Sequence, residues 1–243
     1  MPILRLADRA VIRVAPTDPG EDAAAFLQGL LTNDVSGDGP TYAALLTPQG
    51  KTMFDMFVWR SGDAMLLDCE AAVAEDLAKR LSLYRLRRKL DIAVDASLGV
   101  FWSADPVEGF LPDPRLQSLG FRGILSAETA AETGDADYLV HRLHRGVAEG
   151  REELGDLLWL ETNAAELNGV SFSKGCYIGQ ENTARMNWRQ KVNRRVVVVP
   201  LDRSEEKRRR IEYLDHGLAV DHLRVDDIPA DLVPDWMTLE RES

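Results

Sequence analysis

Most of the information in this sequence lies in one stretch, Lys174-Gly175-Cys176-Tyr177-Ile178-Gly179-Gln180-Glu181. Its glycines allow positive backbone φ angles and a close approach to a ligand. Because a nearby positive charge lowers the pKa of a cysteine, Lys174 favours a thiolate at Cys176. Gln180 can donate and accept hydrogen bonds, whereas Glu181 accepts them. By residue type alone, a glycine turn around a buried structural cysteine is an equal alternative.

The composition outside this stretch limits the class of protein. The chain has 243 residues, 45% of them hydrophobic, enough for one large domain or a domain with a small companion. No apolar run reaches the ~18 residues of a membrane span. Asp8 and Arg9 interrupt the only early apolar run, so no signal peptide is predicted. Only two cysteines, Cys69 and Cys176, are present, which argues against disulfides and predicts a cytoplasmic location.

Charge is distributed unevenly along the chain. The formal net charge is -11, which argues against general binding to nucleic acid or an anionic membrane. Basic residues nevertheless crowd three segments, 79–89, 185–195 and 207–210. A local basic pocket on an acidic protein indicates an anionic ligand. We interpret the third segment, which follows Glu205 and Glu206 in the chain, as a solvated face.

Hydrophobic periodicity predicts a mixed architecture. Alternating or continuous apolar runs predict strands over 10–15, 42–46, 52–59, 64–68, 86–94, 98–102, 121–126 and 195–201. Helical spacing is found over 23–31, 71–83 and 138–147. Because the two types do not alternate strictly, we predict an α+β fold with antiparallel sheets, divided into residues 1–192 and 193–243. Neither nucleotide-binding glycine fingerprint occurs.

Two further polar positions have competing interpretations. Glu161 lies in an apolar setting after Trp159, where it would either bind an amino-pyrimidine edge or serve as a helix N-terminal acid. Asn33 ends the first predicted helix, as a binding residue or, more in keeping with its residue type, as part of a turn. The four histidines lack metal-ligand spacing, so no metal site is predicted.

The stretch 174–181, together with Ala184-Arg185, resembles the signature of the YgfZ-type folate-binding proteins, which belong to the GcvT aminomethyltransferase superfamily. Other segments share the resemblance, which spans about residues 10 to 199. They are Phe26-Leu27-Gln28-Gly29-Leu30-Leu31-Thr32-Asn33-Asp34-Val35, Thr47-Pro48-Gln49-Gly50-Lys51, Tyr84-Arg85-Leu86-Arg87-Arg88-Lys89, Leu160-Glu161-Thr162-Asn163 and Asn168-Gly169-Val170-Ser171-Phe172.

The resemblance implies a GcvT-like folate-binding domain with antiparallel sheets around a central cavity. It implies that residues 193–243 form a small β-barrel, here reduced in length. The implied cofactor is tetrahydrofolate, and the implied role is assembly or repair of iron–sulfur enzymes, including radical enzymes that modify tRNA. Such enzymes would be the partners, and stable binding of nucleic acid is not expected.

Residue by residue, the resemblance makes Cys176 the essential thiol, and we expect Lys174 to act with it. Glu161 stands where aminomethyltransferase relatives place a carboxylate that contacts the pterin ring. The remaining cofactor-binding candidates flank these positions in the matched segments: Asn33, Gly175, Gly179, Gln180, Glu181 and Arg185.

Two other functions remain open at this point. The superfamily offers a precedent for a folate-dependent one-carbon transferase or demethylase, but no convincing general base is evident, so we favour an accessory protein over an enzyme. Direct binding of tRNA is the other alternative, which the net charge of -11 disfavours.

Overall fold

The computed structural model describes residues 2–188 and 192–239. Within them the strands are β1 (Leu4–Leu6), β2 (Arg9–Pro16), β3 (Thr41–Leu46), β4 (Thr52–Ser61), β5 (Ala64–Glu70), β6 (Leu90–Val94), β7 (Leu98–Ser103), β8 (Leu111–Pro112), β9 (Phe121–Ser126), β10 (Glu132–Thr133), β11 (Arg194–Pro200), β12 (Arg209–Tyr213) and β13 (Leu218–Arg224). The α-helices are α1 (Ala23–Gln28), α2 (Ala74–Arg85), α3 (Asp135–Leu143), α4 (Arg151–Leu154) and α5 (Gln180–Trp188).

The first sheet has the strand order β3-β4-β5-β2-β6, and every neighbouring pair is antiparallel. Its two faces are both covered. In β4, Phe54, Met56 and Val58 point into a core that the helices α1 and α2 complete, whereas Phe57 points into a second core. Side chains alternate between the faces of a strand, so this one strand joins two layers of packing.

The second sheet has the order β10-β1-β7-β9-β8, in which β1 pairs with β10 in parallel and with β7 in antiparallel fashion. It packs on the first sheet through Leu6, Val100 and Trp102, which meet Val11 and Leu66. A group of buried charged side chains lies beside this contact: Arg9, Asp68, Asp113, Arg115, Arg122 and Glu149.

The third sheet has three strands, in the order β11-β13-β12, all antiparallel. One of its faces carries Val197, Val199 and Leu223, which pack with Ile228. Val196 and Val220 instead enter the second core of the amino-terminal part. The division at residues 192 and 193, with a reduced barrel after it, stays a prediction.

The α+β class with antiparallel sheets is confirmed, but several predicted boundaries are wrong. Helix α1 ends at Gln28 and not at residue 31, and α3 covers 135–143 and not 138–147. The predicted strand over 86–94 begins only at Leu90, because α2 continues to Arg85 and Leu86 takes a positive φ of 50°. The basic residues of this segment therefore lie on a helix end and a turn.

Candidate functional site

Cys176 is the accessible thiol of the described chain. It lies in an irregular segment that precedes α5, and its side chain is exposed. Cys69, in contrast, is buried in the core beneath α1 and α2, and burial raises the pKa of its thiol to about 12. Because the thiolate is the reactive form, chemistry at a cysteine of this protein falls to Cys176.

The ammonium group of Lys174 binds the backbone of the first helix and the turn after it. Its Nζ donates hydrogen bonds to the carbonyl oxygens of Gln28 at 2.8 Å, Leu31 at 2.6 Å and Asn33 at 2.9 Å. An ammonium has three N–H donors, so none is left for the thiol of Cys176. Burial lowers the pKa of Lys174 to about 8. The structure thus gives Lys174 an anchoring role, and its predicted action on the thiol stays a prediction.

Asn33 is the second anchor of this segment. Its Nδ2 donates to the carbonyl oxygens of Tyr42 at 2.9 Å and Asn168 at 2.6 Å, and its Oδ1 accepts from the backbone of Asp34. All of these bonds hold backbone together, which matches the turn interpretation. The cofactor contact that we predicted for Asn33 has no support in these bonds and stays a prediction.

The two glycines of the motif differ in what they require. Gly179 has a φ of 82°, and a Cβ there would lie 2.6 Å from the carbonyl oxygen of Thr47. Asn182, in the first turn of α5, donates to the carbonyl oxygen of Gln49, so this helix start is held against the turn between β3 and β4. Gly175 has no positive φ, and a Cβ there would meet no atom of the described chain within 4 Å. The positive φ that the glycines allow is therefore adopted at Gly179 and not at Gly175.

The polar side chains at the start of α5 form a hydrogen bond and an ion pair close to this helix. Gln180 accepts a hydrogen bond from the backbone of Tyr177 and closes the turn that carries the thiol. Glu181 and Arg185 form an ion pair at 3.1 Å one helical turn apart, and both side chains are largely exposed. They line the outside of α5, and their predicted contact with a cofactor is not tested by this pairing.

Glu161 lies in the short 3-10 turn Trp159–Thr162, where it meets the third sheet. Its Oε2 is 3.0 Å from Nε2 of His222 on β13, and both side chains are mostly buried. Nearby, Arg195 on β11 pairs with Glu166, and Asn163 donates to the carbonyl oxygen of Val196. We call Glu161, Asn163, Glu166, Arg195 and His222 the Glu161 cluster.

Some buried nitrogens in or beside this cluster have no hydrogen-bond partner among the described residues. They include Nε of Arg195, Nη1 of Arg194 and Nε2 of His222, which lies close to Glu161 but without hydrogen-bond geometry. The register pairs Val196 with His222, so Arg194 lies on the same face of the sheet as His222. Unsatisfied buried donors are uncommon in folded proteins and invite an acceptor. A pterin ring presents both ring acceptors and an amino-pyrimidine edge, so the cluster and the donors around it fit that group.

The candidate residues therefore fall into separate groups. Lys174, Asn33 and Cys176 belong to the segment anchored on α1; Gly179, Gln180, Glu181 and Arg185 belong to the start of α5; Glu161 belongs to its own cluster. The sequence interpretation missed His222 and Arg195, because it tested the histidines only for metal-ligand spacing and counted Arg195 in a general basic segment. The only signal was that Glu161 sits in an apolar setting and needs a partner.

No protein-family model matches the chain. The curated relatives include the mitochondrial iron–sulfur cluster assembly factors IBA57 of mouse and human, each 35% identical. The matches cover 82% and 80% of this chain, and 66% and 65% of the relatives. A homologue from Mycosarcoma maydis is 33% identical over 80% of this chain and 56% of its own length. The chain thus spans between just over half and slightly less than two thirds of the length of these relatives.

Among solved structures, the aminomethyltransferase T of the glycine cleavage system from Bartonella henselae superimposes with a TM-score of 0.68. The match covers 92% of this chain and 78% of that one, at 13% identity. At this identity the match shows the fold alone. The GcvT-like fold implied by the sequence resemblance is confirmed.

The predicted cytoplasmic location is wrong by this comparison, because the relatives from mouse, human and Mycosarcoma maydis are all named as mitochondrial. Two cysteines without a disulfide pattern indicate a reducing compartment, and they do not say which one. Among the described residues, no helix is both long and apolar enough to cross a membrane.

Proposed function

Since the chain is 35% identical to the IBA57 iron–sulfur cluster assembly factors of mouse and human, we propose that it belongs to their family and supports the assembly or repair of iron–sulfur enzymes through Cys176. The observation that carries this proposal is the contrast between its cysteines: one thiol is exposed on an anchored segment, and the other is buried in the core. A single thiolate does not hold a cluster alone, because clusters need several such ligands. Cys176 therefore acts together with ligands that a partner protein supplies.

The partners in this proposal are iron–sulfur proteins. Radical enzymes that modify tRNA are among the clients, as the resemblance of the motif implies. Binding of tRNA itself is not part of the proposal, because the net charge of -11 opposes a polyanion.

Tetrahydrofolate is the proposed cofactor, and the Glu161 cluster is its proposed pterin site. Glu161 can accept two hydrogen bonds from an amino-pyrimidine edge, and the unpaired nitrogens of Arg194 and His222 lie on one face of the third sheet. Removal of the Glu161 carboxylate would remove this recognition while leaving the exposed thiol in place. The bound folate would supply one-carbon or redox chemistry, and these residues would orient it.

Calorimetric titration with tetrahydrofolate tests the cofactor. The wild type is expected to bind saturably, and Glu161→Ala is expected to weaken binding about tenfold or more, as loss of a paired charged hydrogen bond does. Glu206→Ala, which removes an exposed carboxylate, is the matched control and should bind like the wild type. No binding by the wild type, or equal binding by Glu161→Ala, would contradict the pterin assignment.

A further inference from the structure

A groove of about 700 Å³ lies between α1 and the end of α2, outside every residue group described above. Its apolar lining comes from Phe26, Leu30, Tyr84 and Leu86. Phe26 and Leu30 are buried at its base, whereas 87% of Leu86 is exposed. Leu83, one turn earlier on α2, is 62% exposed. We call this feature the α1–α2 groove.

Leu86 is unusual in two independent ways. It has a φ of 50° and a ψ of -109°, a backbone conformation that residues other than glycine adopt only under strain. It also presents a large apolar side chain to water. Strained residues that the fold maintains are concentrated at functional sites. The strained turn here holds an aliphatic side chain on the outside of the molecule.

Three arginines and one glutamate line the groove, so its rim carries a net positive charge. Arg88 pairs with Glu21 at 2.5 Å, whereas Arg85 donates to the carbonyl oxygen of Leu90 and has no ion pair among the described residues. Arg87 and Lys89 are exposed and have no ion pair in the part of the chain that the structure describes. On a chain with a net charge of -11, these unpaired cations mark a surface for an acidic partner.

The groove is continuous with the segment that carries the thiol. Helix α1 supplies Phe26 to the groove, and Leu30 follows it. The carbonyl oxygens of Gln28 and Leu31, from the same short stretch, accept the hydrogen bonds of Lys174. A partner seated in the groove would therefore lie next to the anchored segment that ends in Cys176.

We propose that the α1–α2 groove docks an acidic segment of a protein partner, in which an aliphatic or aromatic side chain flanked by Asp or Glu covers Leu86. This inference rests on the proposed function, since the partner in question is the iron–sulfur protein that Cys176 serves. The two exposed leucines favour a protein over RNA, because phosphates gain nothing from apolar contacts. They also favour a protein over a membrane, since stable anchoring requires a larger apolar area than two leucines present.

Fluorescence anisotropy of the full chain with a short labelled peptide, in which leucines are flanked by Asp and Glu, tests the proposal. The peptide should bind, and a peptide with lysines in place of the acids should not. Leu86→Ser and Arg87→Glu should each weaken binding about tenfold, as loss of an interface anchor or a charge reversal does. Leu214→Ser and Lys207→Glu change an exposed leucine and an exposed cation elsewhere, and these controls should leave binding unchanged.

Three outcomes would overturn the proposal: no binding of the acidic peptide, equal binding by Leu86→Ser, or a preference for an RNA oligonucleotide or phosphatidylserine vesicles over the peptide. Leu86 is exposed and strained, so its replacement does not threaten folding. Cys176→Ser should bind the peptide as the wild type does. Failure of the thiol function with peptide binding intact would thus contradict the proposed function and leave the groove assignment standing.

Discussion

At the scale of single residues, the carboxyl group of Asp55 is the clearest source of pH-dependent stability. Burial, with a contribution from Glu149, raises its pKa from 3.8 to about 6. The folded state therefore holds this proton more tightly than the unfolded chain does. The contribution of Asp55 to the free energy of unfolding is complete below about pH 3.8 and is lost as the pH rises through about 6.

Asp55→Asn should remove this dependence. Relative to the wild type, the variant should gain about 2–3 kcal/mol in free energy of unfolding between pH 4 and pH 7, because the amide cannot ionise. Urea denaturation across this range measures the difference. Asp38→Asn, at a fully exposed carboxylate, is the control and should follow the wild type. Parallel pH profiles for the wild type and Asp55→Asn would show that Asp55 titrates normally.

Single residues also show where sequence interpretation succeeds and fails. The motif directed attention to Cys176 and Gly179, because local residue types determine a tight turn and its chemistry. It did not foresee that the ammonium group of Lys174 binds the carbonyl oxygens of Gln28, Leu31 and Asn33, and the action of Lys174 on the thiol stays a prediction. Contacts between residues so far apart in the chain depend on the tertiary fold, which a local pattern does not contain.

At the scale of elements, Lys174 joins the thiol segment to α1. Lys174→Met removes three hydrogen bonds to backbone carbonyls, and the free energy of unfolding should fall by about 1–3 kcal/mol. Hydrogen exchange should accelerate in residues 171–176 more than elsewhere. Lys79→Met, on the exposed face of α2, is the control. Unchanged exchange in this segment would mean that the turn at Gln180 alone holds the thiol in place.

The sheets are joined by buried ion pairs, of which Arg122 on β9 is the centre. It contacts Asp68 on β5 at 3.0 Å and Asp113 at 3.2 Å, with all three side chains buried. Arg122→Met should lower the free energy of unfolding by about 3–5 kcal/mol, because it leaves the buried carboxylates of Asp68 and Asp113 with one cation each, Arg9 and Arg115, where they had two. In the double variant Arg122→Met/Asp113→Asn, the free energy of unfolding should fall by less than the sum of its losses in the two single variants.

Urea denaturation of the single and double variants measures this coupling. Arg203→Met breaks the exposed pair with Asp231 and serves as the control, for which little change is expected. Additive losses at Arg122 and Asp113 would contradict direct coupling between these two residues. The sequence did not predict this cluster, because its members are scattered between residues 9 and 149.

At the scale of the whole molecule, the α+β class follows from the patterns of β2 to β5, where apolar residues and short polar turns alternate clearly. The position of the third sheet does not follow from them. Strand β12 is rich in charged residues and has a bulge near Arg209. Its sequence therefore lacks the clear alternation of apolar and polar residues that predicts a strand. The pattern over residues 86–94 predicts a strand, whereas the basic residues at its start lie at a helix end and turn that line the α1–α2 groove.

The most direct test of the proposed function is restoration of iron–sulfur enzyme activity in cells that lack their own related assembly factor. The wild type and Cys69→Ala, which changes only the buried cysteine, should restore activity. Cys176→Ser should fold normally, because its side chain is exposed, and should restore none. Full restoration by Cys176→Ser would contradict the claim that this protein works through its exposed thiol.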